Sequence, residues 1–238
     1  MKATPVSQEV LDRLLVPSTA TLTSVLKDHG LNNTFMHRVQ PLRPGMKMTG
    51  LAFTLRYIPA REDLNAGEMD NYTDVQRLGI EQIQKGDVLV IDARGDTRAG
   101  TMGSILAARM QVRGAAGVVT DGAYRDSPAI AESGMAAYAS AMNAHTNKTI
   151  HYPSEIQVPI GCGGVAVMPG DIVVGDGEGV VIIPSYLAEK VVDKAEKQEL
   201  KEEFILAKVM SGASIVDTYP PDDKTLAEFE EWKKSQGL

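Results

Sequence analysis

A strand–helix–strand pattern in the middle of the chain constrains its fold more than any other feature. The run "DVLVIDA" (87–93) is short, continuous and apolar, which is typical of a buried parallel strand. The stretch "GSILAARMQVRG" (103–114) has helical spacing, and "AAGVVTDG" (115–122) is a second buried strand. Short links between such elements predict a right-handed βαβ unit. Both strands then deliver the loops that follow them to one edge of a sheet.

Helical and β-rich segments precede this unit. Apolar spacing predicts helices over 7–15 and 17–30, the second with a Ser-Thr cap region at its start and Gly30 as its stop. The alternating stretch "GLAFTLRYIP" (50–59) predicts a strand, and 73–87 predicts a helix that ends at Gly86. The N-terminal part of the chain is therefore expected to place helices beside a sheet.

The C-terminal part is expected to add strands and then a helical arm. Three short β runs within 165–184, split by Pro-Gly-Asp and Gly-Asp-Gly turns, predict a meander or barrel-like piece. A charged amphipathic helix is predicted over about 186–210, followed by a short last helix. The simplest organisation is one α+β domain over 1–238. Its expected parts are N-terminal helices (1–40), a core (45–185) and a C-terminal helical arm (186–238).

Composition narrows the class of protein. The net charge is −7 and the pI is about 5.2, which argues against a nucleic-acid partner because such partners call for a basic surface. The single cysteine, Cys162, allows no intrachain disulfide and fits a reducing cytosol. No apolar stretch approaches 18 residues and the N-terminus has no apolar signal core, so we expect a cytoplasmic protein without a membrane span.

A glycine-rich loop follows the first buried strand and opens the helix of the βαβ unit. Its glycines allow sharp turns and a close approach of backbone to ligand; they are Gly95, Gly100 and Gly103. The first-turn amides would be free donors for a carboxylate or phosphate; they belong to Ser104, Ile105 and Leu106. The glycine spacing matches neither a P-loop nor a dinucleotide fingerprint. An ordinary glycine-rich turn remains the alternative.

Arg125 and Asp126 end the next strand and should lie near those amides. The planar fork of arginine suits a carboxylate, and an aspartate can give one oxygen to a hard divalent ion. A 2-oxo acid would satisfy both, with its carboxylate on the arginine and its keto oxygen on the metal. The alternative is a surface Arg–Asp pair of little energetic value.

Two long segments make the chain similar to a known family. They are "GDVLVIDARGDTRAGTMGSILAARMQVRGAAGVVTDGAYRD" (86–126) and "VPIGCGGVAVMPGDIVVGDGEGVVIIP" (158–184). The chain resembles regulator of ribonuclease activity A (RraA) and the class II 4-hydroxy-4-methyl-2-oxoglutarate aldolases, from about "STATLTSVL" to "VDTY". These aldolases carry an acid, then twenty residues, then Arg-Asp. Ser104, twenty residues and Arg125-Asp126 fit that register.

The resemblance implies a site, a cofactor and an assembly. Arg125 would bind a pyruvate carboxylate together with the amides of Ile105 and Leu106, and Asp126 would ligate Mg²⁺ or Mn²⁺. It also implies a swivelling β/β/α fold, RraA-like and of the α/β (α+β) class, with flanking N- and C-terminal helices. A homotrimer, or a homohexamer of stacked rings, is implied as well, with sites between subunits. The ribonuclease regulators lack the metal-binding aspartate, so Asp126 favours the enzyme branch.

Ser104 departs from the aldolase pattern, because the family has Asp or Glu at that position. A hydroxyl can bond to a water but cannot act as a strong base at neutral pH. Asp96 and Arg98, in the same loop, are candidate catalytic and substrate-binding residues that could compensate. A glutamate from the C-terminal helix of a neighbouring subunit is a further candidate implied by the family. The possible counterparts are Glu199, Glu202 and Glu203.

Two classes of function stay open on the sequence. The first is a metal-dependent lyase that breaks a C–C bond of a small 2-oxo acid and gives pyruvate through a metal-stabilised enolate, as an aldolase or an oxaloacetate decarboxylase. Decarboxylation tolerates Ser104 better, because CO₂ leaves without removal of a proton. A dehydratase or isomerase of a sugar-derived 2-oxo acid could use the same pocket. The second class is a non-catalytic regulator that binds a protein partner.

Overall fold

The structure is a computed structural model that describes residues 4–63 and 70–237. Its α-helices are α1 (Gln8–Arg13), α2 (Thr19–Asp28), α3 (Val75–Gln82), α4 (Ser104–Arg113), α5 (Ser127–Glu132), α6 (Ala188–Met210) and α7 (Asp223–Gln236). Its strands are β1 (Gln40–Pro41), β2 (Met48–Pro59), β3 (Asp87–Asp92), β4 (Gly100–Met102), β5 (Gly117–Tyr124), β6 (Ala136–Met142), β7 (His151–Ile156), β8 (Ile160–Cys162), β9 (Val165–Val167), β10 (Ile172–Gly175) and β11 (Val180–Ile183). The expected domain limits at residues 1 and 238 lie outside the described residues.

One mixed sheet organises the fold, in the order β1-β6-β5-β3-β2-β10-β11. Its centre is parallel, with β2, β3, β5 and β6 side by side, and its outer pairs are antiparallel. The predicted βαβ unit is present as β3, α4 and β5, with Val88 paired to Gly117 and Ile91 to Thr120. The carboxyl ends of β3 and β5 therefore lie at the same edge of the sheet.

Burial explains why the central strands are recognisable in the sequence. All eight positions of β5 are buried, because helices or further strands cover both faces of the sheet. One apolar cluster joins α3, α4 and α5 to the sheet, and includes Ile80, Met110 and Ile130. A separate cluster joins α1, α2 and α6 to β10 and β11. The parallel strands thus read as continuous apolar runs.

The structure corrects three details of the sequence prediction. Helix α3 ends at Gln82 rather than near Gly86, because Ile83 turns extended (ψ 138°) to bury its side chain. The three runs within 165–184 are not one meander: β9 pairs with β8 in a separate two-stranded sheet, whereas β10 and β11 form a hairpin on β2. The last helix, α7, has 14 residues and is not short.

The helices of 4–63 and 70–237 are all too short or too polar to cross a lipid bilayer. Their N-termini are capped in different ways. Ser7, Ser18 and Asp74 cap α1, α2 and α3 with side-chain oxygens. Helix α4 begins after Gly103, which has no side chain to cap it. The first turn of α4 is therefore open to a ligand.

Candidate active site at the N-terminus of helix α4

Strand β4 fixes the position of the candidate site. It pairs in parallel with the end of β5, with Gly100 opposite Ala123 and Met102 opposite Tyr124. The backbone N–H of Arg125 then donates to the Met102 carbonyl at 3.0 Å. This pairing brings the start of α4 against Arg125 and Asp126. The sequence predicted only a loop at β4, since a three-residue strand carries no periodicity of its own.

Two of the loop glycines make this approach possible. A Cβ at Gly100 would lie 2.6 Å from the Arg125 nitrogen, and a Cβ at Gly103 would lie 2.8 Å from Asp126 Oδ2. Either contact would push the two chain segments apart. Gly95 has a different role, because it adopts φ +67° with open space around it and forms a turn.

Asp126 interacts with the first residue of α4. The Ser104 amide and the Ser104 hydroxyl both donate to Asp126 Oδ2, at 3.2 and 3.3 Å. Arg125 Nε lies 3.7 Å from the other oxygen, Oδ1, and both side chains are more than 40% exposed. Asp126 has a left-handed backbone (φ 55°), which an aspartate tolerates and which turns its carboxylate towards α4.

These residues line a cavity of about 280 Å³ at the carboxyl edge of the sheet. Three cationic side chains and one carboxylate face it: Arg77, Lys148, Arg125 and Asp126. The remaining lining residues are Gln76, Gly100, Thr101, Met102, Gly103, Ile105, Leu106, Thr146 and Asn147. An excess of positive charge beside open helical amides favours an anionic ligand.

The carboxylate of Asp74, the residue just before α3, holds the two cations Arg77 and Lys148. Lys148 forms an ion pair with Asp74, whose side chain is only 4% exposed, and Arg77 lies 3.8 Å from the same carboxylate. Asp74 also caps α3 by accepting from the Arg77 amide at 3.0 Å. One buried carboxylate thus orients two of the cavity's positive charges.

The donor set at the cavity fits a hard divalent ion that keeps most of its water ligands. Asp126 is half-exposed, and its Oδ1 receives no hydrogen bond from Ser104. Such an ion commonly binds through one carboxylate plus water and substrate oxygens. Across 4–63 and 70–237 no three His, Cys, Asp or Glu side chains come together as a metal cluster. Asp126 is the carboxylate of the cavity lining that would hold such an ion.

Asp96 and Arg98 do not join the cavity, although they occupy the same glycine-rich loop. Arg98 Nη2 lies 2.7 Å from Asp96 Oδ2, and neither residue lines the cavity. Hydrogen bonds from Arg98 lower the pKa of Asp96 to about 2. Asp96 is therefore ionised and internally paired, a poor base in place of the family acid.

The three candidate glutamates of α6 face a different groove of the same chain. Glu199 accepts from the Ser18 amide at 2.7 Å, and Glu202 accepts from Gln198 at 2.9 Å. Burial alone would raise the pKa of Glu199, but hydrogen bonds from Ser18 and Thr21 lower it overall. Glu203 is exposed and accepts no bond from a described side chain.

Sequence reasoning missed the wall of the cavity formed by α3 and by residues 146–148. Its members are Gln76, Arg77, Thr146, Asn147 and Lys148. Nothing in the local pattern marks them: Gln76 and Arg77 read as the polar side of a helix, and "TNKT" reads as a polar loop. Their closeness follows from the antiparallel pairing of β7 with β2, which carries the 146–148 turn back to α3.

An α/β protein with an uncapped helix N-terminus beside a carboxylate and an arginine is the class that this fold and cavity define. A sequence model of the RraA-like family (Aldolase/RraA) matches residues 12–182. The chain belongs to that family, and the predicted fold is confirmed.

Solved structures support the assignment over most of the chain. An uncharacterized protein from Pseudomonas syringae pv. tomato has a TM-score of 0.82 and 26% identity, covering 93% of this chain and 98% of that one. Streptomyces coelicolor RraAS2, described as an unusual member of the RNase ES inhibitor RraA family, has a TM-score of 0.77 and 33% identity. It covers 85% of this chain and 98% of its own.

Curated relatives match over part of their length. A Halalkalibacterium halodurans protein named "Putative 4-hydroxy-4-methyl-2-oxoglutarate aldolase" is 38% identical over 118 residues, which is 50% of this chain and 56% of that protein. Protein DlpA of Legionella pneumophila is 28% identical over 207 residues, which is 87% of this chain and 32% of DlpA. The chain thus spans about a third of one relative and just over half of the other.

Proposed function

We propose that the protein is a divalent-metal-dependent lyase that cleaves a C–C bond of a small 2-oxo dicarboxylate and releases pyruvate. The observation that carries the proposal is the pairing of Asp126 with Ser104 at the open N-terminus of α4, with Arg125 beside it. The aldolase names of several relatives point in the same direction. Mg²⁺ and Mn²⁺ are the cofactors proposed.

The cavity supplies separate partners for the two ends of such a substrate. Arg125 and the Ile105 and Leu106 amides suit the carboxylate next to the oxo group. Arg77 and Lys148, on the opposite wall, suit the second carboxylate. A divalent ion held by Asp126 would act as a Lewis acid towards the 2-oxo oxygen. The small volume, about 280 Å³, favours substrates of few carbon atoms.

Ser104 favours decarboxylation over retro-aldol cleavage. Its hydroxyl donates to Asp126, so it holds the carboxylate in place and is not set up to remove a proton. Loss of CO₂ from oxaloacetate moves the C–C electron pair towards the 2-oxo group and needs no base to begin. Retro-aldol cleavage requires deprotonation of a hydroxyl. We therefore rank oxaloacetate above 4-hydroxy-4-methyl-2-oxoglutarate as substrate.

We propose that a neighbouring subunit supplies the acidic side chain that the aldolases carry at the position of Ser104. Ile105 lines the cavity and is 83% exposed, so its apolar side chain could be covered by a second subunit. The groove that contains Glu203 also exposes Leu206 and Ile215. Docking of this groove over Ile105 in a homotrimer, or in a homohexamer of such rings, would cover both apolar surfaces. It would also bring an acidic side chain towards the cavity.

The direct test measures pyruvate release from oxaloacetate and from 4-hydroxy-4-methyl-2-oxoglutarate, with Mg²⁺, with Mn²⁺ and after chelation. Asp126→Asn and Arg125→Ala should each abolish most of the activity. The matched control is the exposed pair Arg61–Asp63, in which Arg61→Ala and Asp63→Asn should leave the rate unchanged. Absence of pyruvate from every 2-oxo acid tried, with a folded protein, would sink the proposal.

A non-catalytic regulator is the second candidate, favoured by one observation. The similarity to RraAS2, at 33% identity and nearly the full length of that protein, joins this chain to a family named for inhibition of an RNase. Such a protein would bind its partner through surface residues and would not need Asp126. Equal partner binding by the wild type and by Asp126→Asn, without pyruvate release, would select this alternative. A dehydratase or isomerase would show instead as consumption of a sugar-derived oxo acid without pyruvate.

A further inference from the structure

Gln76 joins two walls of the cavity through one buried side-chain amide. The residue lies in the first turn of α3 and is 2% exposed. Its Nε2 donates to the Thr101 carbonyl at 2.7 Å, and its Oε1 accepts from Asn147 Nδ2 at 2.9 Å. Its two partners are 25 and 71 residues away in sequence. A backbone hydrogen bond also joins these two segments, from the Gly100 amide to the His145 carbonyl at 2.9 Å, whereas Gln76 joins them through a side chain.

The two segments carry different parts of the binding surface. Thr101 belongs to β4 and stands two residues before Gly103, where the open amides of α4 begin. Asn147 precedes Lys148, one of the cations on the opposite wall. A shift of Gln76 would therefore change the spacing between the amides and the cation. The spacing sets which length of dianion can reach both.

Three hydrogen bonds hold Thr101 in place, and the one from Gln76 is only one of them. Tyr57 Oη also donates to the Thr101 carbonyl, at 3.0 Å, and Thr101 Oγ1 donates to the Ala123 carbonyl at 2.9 Å. Because the carbonyl keeps Tyr57 as a partner, loss of Gln76 would not leave it unsatisfied. The glutamine is thus not required to complete the hydrogen bonding of β4. Its Oε1 gives Asn147 a buried acceptor, in addition to the hydrogen bond between Asn147 and Tyr57.

We propose that Gln76 is a positioning residue that sets the distance between the α4 amides and the loop of Asn147 and Lys148. It does not contact the reacting atoms. The activity readout below rests on the proposed function, so a second readout that needs no activity is included.

Gln76→Glu tests the proposal through pH, because a protonated glutamic acid can replace the amide in shape and in hydrogen bonding. At about pH 8 the carboxylate cannot donate to Thr101, and the ratio of variant to wild-type kcat/KM should fall about tenfold or more. Burial raises the pKa of an introduced carboxyl, so the ratio should recover to within about threefold near pH 6. Gln111 provides the matched control: its Nε2 donates to the Ser133 carbonyl at 2.8 Å on an exposed surface, and Gln111→Glu should show a flat ratio near one.

Hydrogen exchange at a fixed pH gives the readout that is independent of activity. Gln76→Met keeps the length of the side chain without its donor and acceptor, and should speed amide exchange in both 100–106 and 144–149. Asn147→Ala should speed exchange in 144–149 alone, because Tyr57 still holds β4. A Gln76→Glu ratio that does not change with pH, or exchange in Gln76→Met that rises uniformly along the chain, would overturn the proposal. If the wild type releases no pyruvate, the proposed function fails while the exchange pattern still decides the role of Gln76.

Discussion

Helices α2 and α4 each have ten residues, yet their N-termini are built in opposite ways. The α2 terminus is satisfied by the chain: Ser18 Oγ accepts from the Thr21 amide, Asp176 accepts from the Thr19 amide, and Glu199 accepts from the Ser18 amide. The α4 terminus follows a glycine, and among residues 4–63 and 70–237 its first amide finds a side-chain acceptor in the Asp126 carboxylate. Carboxylates at α2 complete the fold, whereas the one at α4 lies beside the Ile105 and Leu106 amides that are proposed to hold the substrate. The difference separates a helix terminus with a structural role from one with a proposed binding role.

The largest effect on activity is expected from removing the carboxylate at the N-terminus of α4. Asp126→Asn should reduce pyruvate release by about 100-fold or more, because the carboxylate is the proposed ligand of the ion that polarises the substrate. The free energy of unfolding should change little, since asparagine accepts the left-handed backbone of this position and the side chain is 42% exposed. Steady-state kinetics with parallel urea denaturation measure both. Retention of full activity would show that Asp126 takes no part in the reaction.

The next effect comes from filling the space between α4 and Asp126. Gly103→Ala adds a Cβ that would lie 2.8 Å from Asp126 Oδ2, in a backbone conformation (φ −120°) that alanine adopts freely. Activity should fall about tenfold or more through displacement of the carboxylate. Gly161→Ala is the control, because nothing lies within 4 Å of its added Cβ. A kinetic comparison of the two variants that found equal rates would contradict the close approach.

At α2 we expect a loss of stability without a loss of activity. Asp176→Ala removes the acceptor of the Thr19 amide and hydroxyl, both at 2.8 Å, and should lower the free energy of unfolding by about 1–2 kcal/mol. The activity of the folded molecules should be unchanged. Denaturant titration together with kinetics at low temperature tests this; a loss of activity without a loss of stability would show that α2 also serves the site.

The smallest effect concerns the support beneath the loop that leads to α4. His151 is buried against Tyr57 and near Arg94, and burial, followed by the charge of Arg94, lowers its pKa. The unfolded chain therefore binds a proton more readily than the folded one, so stability should fall as the pH drops below about 6.5. The loss should level off below the folded-state pKa.

Denaturation at several pH values, with His151→Gln as reference, isolates this contribution. Asp96 and Arg98 also face His151 and are present in both proteins. The difference in stability between wild type and variant should narrow from neutral pH towards pH 5. Hydrogen exchange should show loosening in 94–102 before any change at the α2 terminus. A constant difference across the pH range would mean that His151 is not buried in its neutral form.

The sequence predicts the part of the site that depends on local order along the chain. The apolar runs of β3 and β5 define the βαβ unit, and the unit by itself places Arg125 and Asp126 near the start of α4. The three-residue β4 is not predictable in this way, since its pairing depends on β5 rather than on its own residues. The role of Gly103 becomes clear only once the distance to Asp126 is known.

The second wall could not be predicted because its contacts are far apart in sequence. Asn147 reaches Gln76 across 71 residues, and Lys148 reaches Asp74 across 74. Neither pair follows a helical or strand period. Loop position made Asp96 a candidate acid and the family resemblance added Glu203, but neither showed that Asp96 is paired with Arg98 whereas Glu203 is exposed. Burial and pairing make that distinction.

The left-handed backbone of Asp126 also has an evolutionary consequence. Aspartate, asparagine and glycine accept that conformation with little strain, and most other residues do not. Exchange of one carboxylate oxygen for an amide nitrogen at this position would leave the turn, the pairing of β4 and the packing of α5 intact. If Asp126 holds the ion as proposed, one substitution to asparagine would remove the charged oxygen and keep the scaffold.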